Sequence, residues 1–176
     1  MDTLKAIGER YSYRGMYKDA PVPREDLTKI MEAGLAAPSG CNTQTTTLVG
    51  LDDMGLIKRV AGHLNKPNFA SAPAAVCVFT QRIPGYADVY FNVQDYAAAI
   101  ENMLLAITAL GYASCWVEGY ITGDGQIGKQ MAKELGAPDN YEFVAYLPVG
   151  VPAEPISRAK KKPFNKRACF NGFTIV

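Results

Sequence analysis

The stretch that decides the fold is Asn92-Val93-Gln94-Asp95-Tyr96-Ala97-Ala98-Ala99-Ile100-Glu101-Asn102-Met103-Leu104-Leu105-Ala106-Ile107-Thr108-Ala109-Leu110, followed by Gly111. No proline or glycine interrupts it, and Gly111 is a favoured residue just past a helix end. The pattern predicts a helix over Asn92–Leu110. Val93, Tyr96, Ala97, Ala99, Ile100, Met103, Leu104, Leu105 and Ile107 cover most of its circumference. A helix that is apolar nearly all round is buried in a large core or in a subunit interface. For one domain of this length, an interface fits.

Shorter elements lie on both sides. Thr3–Glu9 reads as a short helix. In Pro23–Ala36, Leu27, Ile30, Met31, Gly34 and Leu35 recur at helical spacing, and Pro38 is a stop signal. Thr45–Leu51 is rich in β-branched residues and reads as a strand. Met54–Leu64 reads as a helix, and the apolar run Pro73–Thr80 as a buried strand. Beyond the long helix, Ser114–Glu118 reads as a strand, Gln126–Leu135 as a helix and Tyr141–Val149 as a strand. The strands do not alternate strictly with helices, so the pattern favours an α+β fold over a doubly wound one. No repeat or polar linker divides the chain. Residues 1–176 read as one domain, with residues 155–176 as a C-terminal extension.

Composition excludes several classes of function. The chain has 176 residues, 48% of them hydrophobic and 20% charged. It has no apolar run long enough to span a membrane. Its first residues lack a signal-peptide core, which favours the cytoplasm. Residues 155–176 hold Arg158, Lys160, Lys161, Lys162, Lys166 and Arg167 and no acid, so residues 1–154 carry a net charge of −5. A body of that sign repels nucleic acid. The basic tail can hold one small anion or stand as a solvated end. Cys41, Cys77, Cys115 and Cys169 are widely spaced, and His63 is the only histidine. Neither pattern makes a metal site. Cys77 and Cys115 lie in apolar runs and read as buried free thiols, as expected in a reducing compartment.

Three segments could carry chemistry. Gly123-Asp124-Gly125-Gln126-Ile127-Gly128-Lys129 satisfies two nucleotide-binding spacings. It lacks the Ser or Thr that a P-loop needs after its lysine, and it lacks the acid that a dinucleotide fold needs at the end of the next strand. It reads as a glycine-rich turn into a helix. No G-x-S-x-G elbow or Cys–His pair supports a hydrolase, so a borrowed cofactor is the natural source of reactivity. Arg10-Tyr11-Ser12-Tyr13-Arg14 puts two arginines and a hydroxyl on one side of an extended segment. That donor set suits a phosphate, and the basic tail could converge on the same group. Pro38-Ser39-Gly40-Cys41-Asn42-Thr43-Gln44 is a polar turn whose Ser39, Asn42 and Gln44 offer donors and acceptors.

In this order the segments resemble the FMN-dependent nitroreductase family. That family opens on an R-R-S-x-R-like motif, followed by a helix and then A-P-S-x-x-N-x-Q. Arg10–Arg14 and Ala37–Gln44 resemble these two motifs. Ala98–Ala106 with Ala109-Leu110-Gly111 resembles the family's central helix, Ser114–Gly119 its next strand, and Leu147–Glu154 its late strand and turn. The resemblance implies a nitroreductase-like fold with a central mixed sheet flanked by helices. It also implies a domain-intertwined homodimer with FMN at the interface. By the same resemblance Arg10, Tyr11, Ser12 and Arg14, with Arg158, Lys160 and Lys161, bind the FMN phosphate and polar ring edge. Pro38, Ser39, Gly40, Asn42 and Gln44 come from the other subunit, and Glu118 and Gly119 lie beside the ring. NADH or NADPH is the implied donor, and a nitroaromatic, quinone or enone the implied acceptor, in a ping-pong cycle without a catalytic side chain.

The chain departs from that family at Gln44-Thr45-Thr46-Thr47, where Gln-Pro-Trp is usual. It also departs in the tail, where Arg158-Ala159-Lys160-Lys161-Lys162-Pro163 stands in place of alternating Arg or Lys before a proline, and in the short Gln81–Asn92 connection. Tyr86 and Tyr90 in that connection read as ordinary loop aromatics. The altered threonine run leaves a non-catalytic flavin-binding or storage protein as the alternative, and Gly123–Lys129 leaves a nucleotide-binding one.

Overall fold

The computed structural model describes residues 1–123 and 125–173. Its centre is a three-stranded antiparallel sheet in the order β1 (Thr46–Leu51), β2 (Ala74–Thr80), β3 (Glu142–Val149). Every residue of β2 is buried, because β2 is the middle strand and both its faces are covered. Side chains alternate across a strand. Ala74, Val76 and Val78 therefore enter one core with α2 (Arg24–Leu35) and α5 (Asn92–Ala109). Ala75, Cys77 and Phe79 enter a second core with α3 (Met54–Gly62) and α7 (Gln126–Glu134). The pairing of β2 with β3 shifts between Val78 and Phe79, where Phe79 faces Phe143 with ring centroids 4.9 Å apart.

The remaining helices are α1 (Thr3–Glu9), capped by the Asp2 carboxylate, and the short α4 (Pro67–Ala70) and α6 (Gly119–Thr122). The long helix ends one residue before its expected limit. Asn92, Asp95, Tyr96, Ala99, Ile100, Met103, Leu104 and Ile107 are buried. Val93 is exposed, and Ala97, Ala98 and Leu105 are half-buried. Within one chain α5 is thus covered on the side facing α2 and the sheet and only partly on the other.

One expected strand takes a different form. Ser114–Glu118 is not a continuous ladder. It meets β3 and the residue after it through isolated antiparallel bridges, Ala113 with Gly150 and Val117 with Tyr146. In that register Cys115 would face Pro148, which has no N–H to donate, so the ladder breaks in its middle. A parallel bridge from Ser12 to Ser114 adds the segment before Tyr13 beyond this edge, so in place of the expected mixed sheet stands an antiparallel one with a single parallel bridge at its margin. Two separate parts of the sequence, residues 10–17 and 113–119, are therefore brought to the same edge of the sheet. Among the described residues, no helix is long and apolar enough to cross a membrane.

Candidate functional site

The segment after α1 is held in place by tyrosines. Tyr13 is buried, and its hydroxyl donates to the Met16 carbonyl and accepts from the Ala153 and Glu154 N–H groups at 3.1 Å each. The Glu154 carboxylate accepts from the Met16 N–H at 3.0 Å, and Tyr17 bridges to Pro152. The rings of Tyr11, Tyr13 and Tyr17 meet edge to face. This clamp fixes residues 10–17 against the turn that leads into the basic tail.

Between the two lies a groove of about 640 Å³ lined by Arg10, Tyr11, Ser12, Arg14, Arg158 and Lys161, among others. Six of the expected site residues are thus brought together. Lys160 is exposed and is not part of the lining. Arg158 stacks over the Tyr11 ring, 5.6 Å from its centroid. Burial raises the Tyr11 hydroxyl above its ordinary pKa, and the Arg158 charge partly offsets this. Arg10 forms an ion pair with Glu101 of α5 at 3.1 Å. Among the described residues, no carboxylate pairs with Arg14, Arg158 or Lys161. A groove with this excess of positive charge, a hydroxyl and three planar guanidinium forks suits an anion such as a phosphate.

Arg14 also lines an adjoining cavity of about 270 Å³ with Cys115, Trp116, Glu118, Gly119 and Tyr120. Glu118 is held by the Tyr96 hydroxyl of α5, which donates to its carboxylate at 2.8 Å. Burial, and then this bond to a carboxylate, raise the Tyr96 pKa, so Tyr96 remains a donor across the neutral range. A side chain at Gly119 would meet nothing within 4 Å, so the backbone there is open to a ligand.

The loop Pro38–Gln44 lies elsewhere in the chain. Pro38, Ser39 and Gln44 line a separate cavity of about 190 Å³ with Asp95 and Ala99 of α5. Gly40–Asn42 forms a single 3₁₀ turn. A side chain at Gly40 would collide with Phe91, 2.3 Å from its Cγ, so only glycine lets the loop lie this close to the start of α5. Cys41, Asn42 and Gln44 all have positive φ, a conformation that costs energy for residues other than glycine.

The glycine-rich turn receives a packing explanation. Gly125 caps α7 in the left-handed conformation. A side chain at Gly128 would lie 2.9 Å from the Phe143 carbonyl oxygen, so this glycine lets α7 pack closely against β3. The element before the turn is α6 rather than a strand, so the strand–turn–helix context of a nucleotide loop is missing. Asp124, within the motif, lies outside the described residues. A larger concave surface, about 850 Å³, lies beside this turn and has a mostly apolar lining. Convergent polar groups mark a binding site more specifically than size does, and these line the Arg10–Arg158 groove.

Comparison with known proteins decides the family. The family model described as "Nitroreductase family" matches residues 7–64 and 52–151. The chain belongs to the nitroreductase family. This nitroreductase-family chain is 32% identical over 157 residues to an Archaeoglobus fulgidus protein named as an NADH dehydrogenase/NAD(P)H nitroreductase, a match covering 87% of each. A Parabacteroides distasonis crystal structure given the same name superposes with a TM-score of 0.82 at 27% identity and covers 97% of this chain and 98% of that one. An FMN-dependent nitroreductase from Clostridium difficile R20291 superposes with a TM-score of 0.80 at 25% identity, covering 97% and 99%. The fold expected from the sequence, helices around a small sheet in the nitroreductase arrangement, is the one these structures share.

Several residues that shape this nitroreductase-family site gave no signal in the sequence. Tyr13 and Glu154 are 141 positions apart and meet through one hydroxyl. Asp95 and Tyr96 sat in a pattern dominated by their apolar neighbours. A carboxylate at a core position of a helix was the one available clue, since buried acids are rare unless bonded.

Proposed function

We propose that the protein is an FMN-dependent NAD(P)H oxidoreductase that passes reducing equivalents to a small organic acceptor such as a nitroaromatic, quinone or enone. The observation that carries this reading is the convergence of Arg10, Ser12 and Arg14 with Arg158 and Lys161 on one groove. Membership of the nitroreductase family supports it. The donor set fits the group. Three arginine forks and a serine hydroxyl match a terminal phosphate. The adjoining Glu118–Gly119 cavity is open where a planar ring needs close approach to the backbone.

In this reading FMN, when bound, supplies the chemistry by accepting hydride from NADH or NADPH and releasing it to the acceptor. The chain's residues bind and orient. Arg14, Arg158 and Lys161 neutralise the phosphate. Arg10, oriented by Glu101, adds a fourth charge. Tyr96 holds Glu118 to one side of the ring-sized cavity and leaves Gly119 uncovered. The Gly119 N–H opens α6 and has no acceptor inside that helix. It is thus free to bond a ring atom, with catalysis resting on positioning. The Pro38–Gln44 loop and the Arg10–Arg14 groove line different cavities of one chain. We assign the loop's share of the site to a second copy in a homodimer, with Asn42 and Gln44 presented from exposed positions.

The test is an absorbance spectrum of purified protein, followed by anaerobic addition of NADH and then NADPH. Flavin bands that bleach with either donor and recover with a quinone support the oxidoreductase. Flavin bands that neither donor bleaches would mean a storage or carrier role. Protein that neither contains nor takes up FMN would overturn the reading.

A further inference from the structure

The carboxylate of Asp95 is 3% exposed, in the first turns of α5. Among the described residues, no cation pairs with it. One oxygen accepts from the Gly40 N–H at 2.7 Å, and the other accepts from the Thr45 hydroxyl at 2.7 Å. The Thr43 hydroxyl lies 3.4 Å away, and its shorter contact is to the Gly40 carbonyl at 2.8 Å. The two firm bonds fall on residues 40 and 45. Between them lie Cys41, Asn42 and Gln44, with φ of 53°, 55° and 48°. A single buried group thus grips both ends of a segment whose interior is unfavourable by itself. The same turn of α5 begins at Phe91, which fills the space beside Gly40.

Strained backbone persists only where its surroundings over-determine it, and burying a carboxylate is costly unless it is bonded. A loop needed only to join α2 to β1 requires neither. Nor do both features serve the core, since Cys41, Asn42 and Gln44 are exposed. We infer that Asp95 is a positioning residue for FMN binding: its carboxylate holds the loop from Gly40 to Thr45 in the one form that presents Asn42 and Gln44 to the cofactor. This rests on the reading above, in which the loop completes the FMN site. Thr45, which departs from the family's usual proline, then has a role of its own, because proline offers no hydroxyl to Asp95.

Without the clamp, the binding-competent loop is a fraction of the population, and apparent affinity falls by that fraction. The experiment measures FMN dissociation constants by flavin fluorescence and melting temperatures without FMN, for the wild type, Asp95→Ala, Asp95→Asn, Thr45→Val and Asp26→Asn. Asp26 is an off-site comparator, a carboxylate of α2 that accepts from the Tyr112 hydroxyl at 2.9 Å. For Asp95→Ala we expect FMN affinity to fall about tenfold or more. Thr45→Val, which leaves only the Gly40 grip, should fall in between, and Asp95→Asn, whose amide can accept from the Gly40 N–H and donate to the Thr45 hydroxyl, should stay nearest the wild type. Asp26→Asn should shift only the melting temperature. If Asp95→Ala and Thr45→Val lose thermal stability but hold FMN within about twofold of the wild type, the role is structural only and the inference fails. Should Asp95→Ala not fold, Thr45→Val decides by the same criterion. A wild type that binds no FMN overturns the functional reading itself, an outcome distinct from failure of the variants.

Discussion

Arginine is the residue on which the binding argument turns, and the structure separates the cations by what already holds them. Arg10 is tied to Glu101 across to α5, so it is pre-oriented as well as charged. Lys129 lies on α7 in a different cavity. Removing a charge-assisted hydrogen bond costs about 1.5–3 kcal/mol, roughly ten- to a hundredfold in affinity. Arg10→Ala is therefore expected to raise the FMN dissociation constant by about tenfold, and Lys129→Ala to leave it within about twofold. A fluorescence titration checks this, and the reverse order would contradict the site. The two arginines were legible in the sequence from their spacing on an extended segment. Glu101 as a partner for Arg10 was not, because nothing in the local pattern says which residue of the long helix lies opposite the first loop.

At the scale of elements, close approach of backbones is the recurring device. Gly128 is what lets α7 lie against β3, with the Phe143 carbonyl 2.9 Å from where a methyl group would stand. Gly62, the last residue of α3, would meet nothing within 4 Å. Replacing glycine by alanine inside a helix gains about 1 kcal/mol from propensity, and overpacking costs about 1–3 kcal/mol. Gly62→Ala should raise the urea midpoint and Gly128→Ala should lower it, as equilibrium unfolding will show. Equal shifts in the same direction would mean that α7 tolerates displacement. Most elements were legible from hydrophobic periodicity: the helices near Arg24–Leu35 and Asn92–Ala109 and the buried β2 stand where the pattern put them. The segment from Ser114 was not, since its apolar run gives no sign that Pro148 of another element would interrupt the pairing. The short turns Pro67–Ala70 and Gly119–Thr122 are too brief to leave a period.

At the scale of the molecule, the single chain leaves apolar side chains in water. Leu4 and Leu35 are 78% and 60% exposed, and Phe164 and Phe170 of the tail are 65% and 78% exposed. Large exposed apolar surface marks an interaction site, and α5 still has a half-covered face. Sedimentation should give a mass of twice 19.1 kDa. FMN and dimer should be lost together on dilution, because the proposed site draws on both copies. A monomer that holds FMN tightly would refute the shared site.

The sequence by itself determined most of the elements, the resemblance to the family and the donor groups. Periodicity, turn residues and charge are local properties, and a side chain's chemistry does not depend on where the chain folds. The tertiary structure alone decided which of these groups meet. It brought residues 10–14 to one groove with Arg158 and Lys161, through a tyrosine hydroxyl that ties strands of chain 140 positions apart. It gave the glycine-rich turn a packing role, and it placed a buried carboxylate beneath a strained loop. These are long-range juxtapositions, fixed by how two cores pack on the two faces of one sheet, and no local window of sequence contains them.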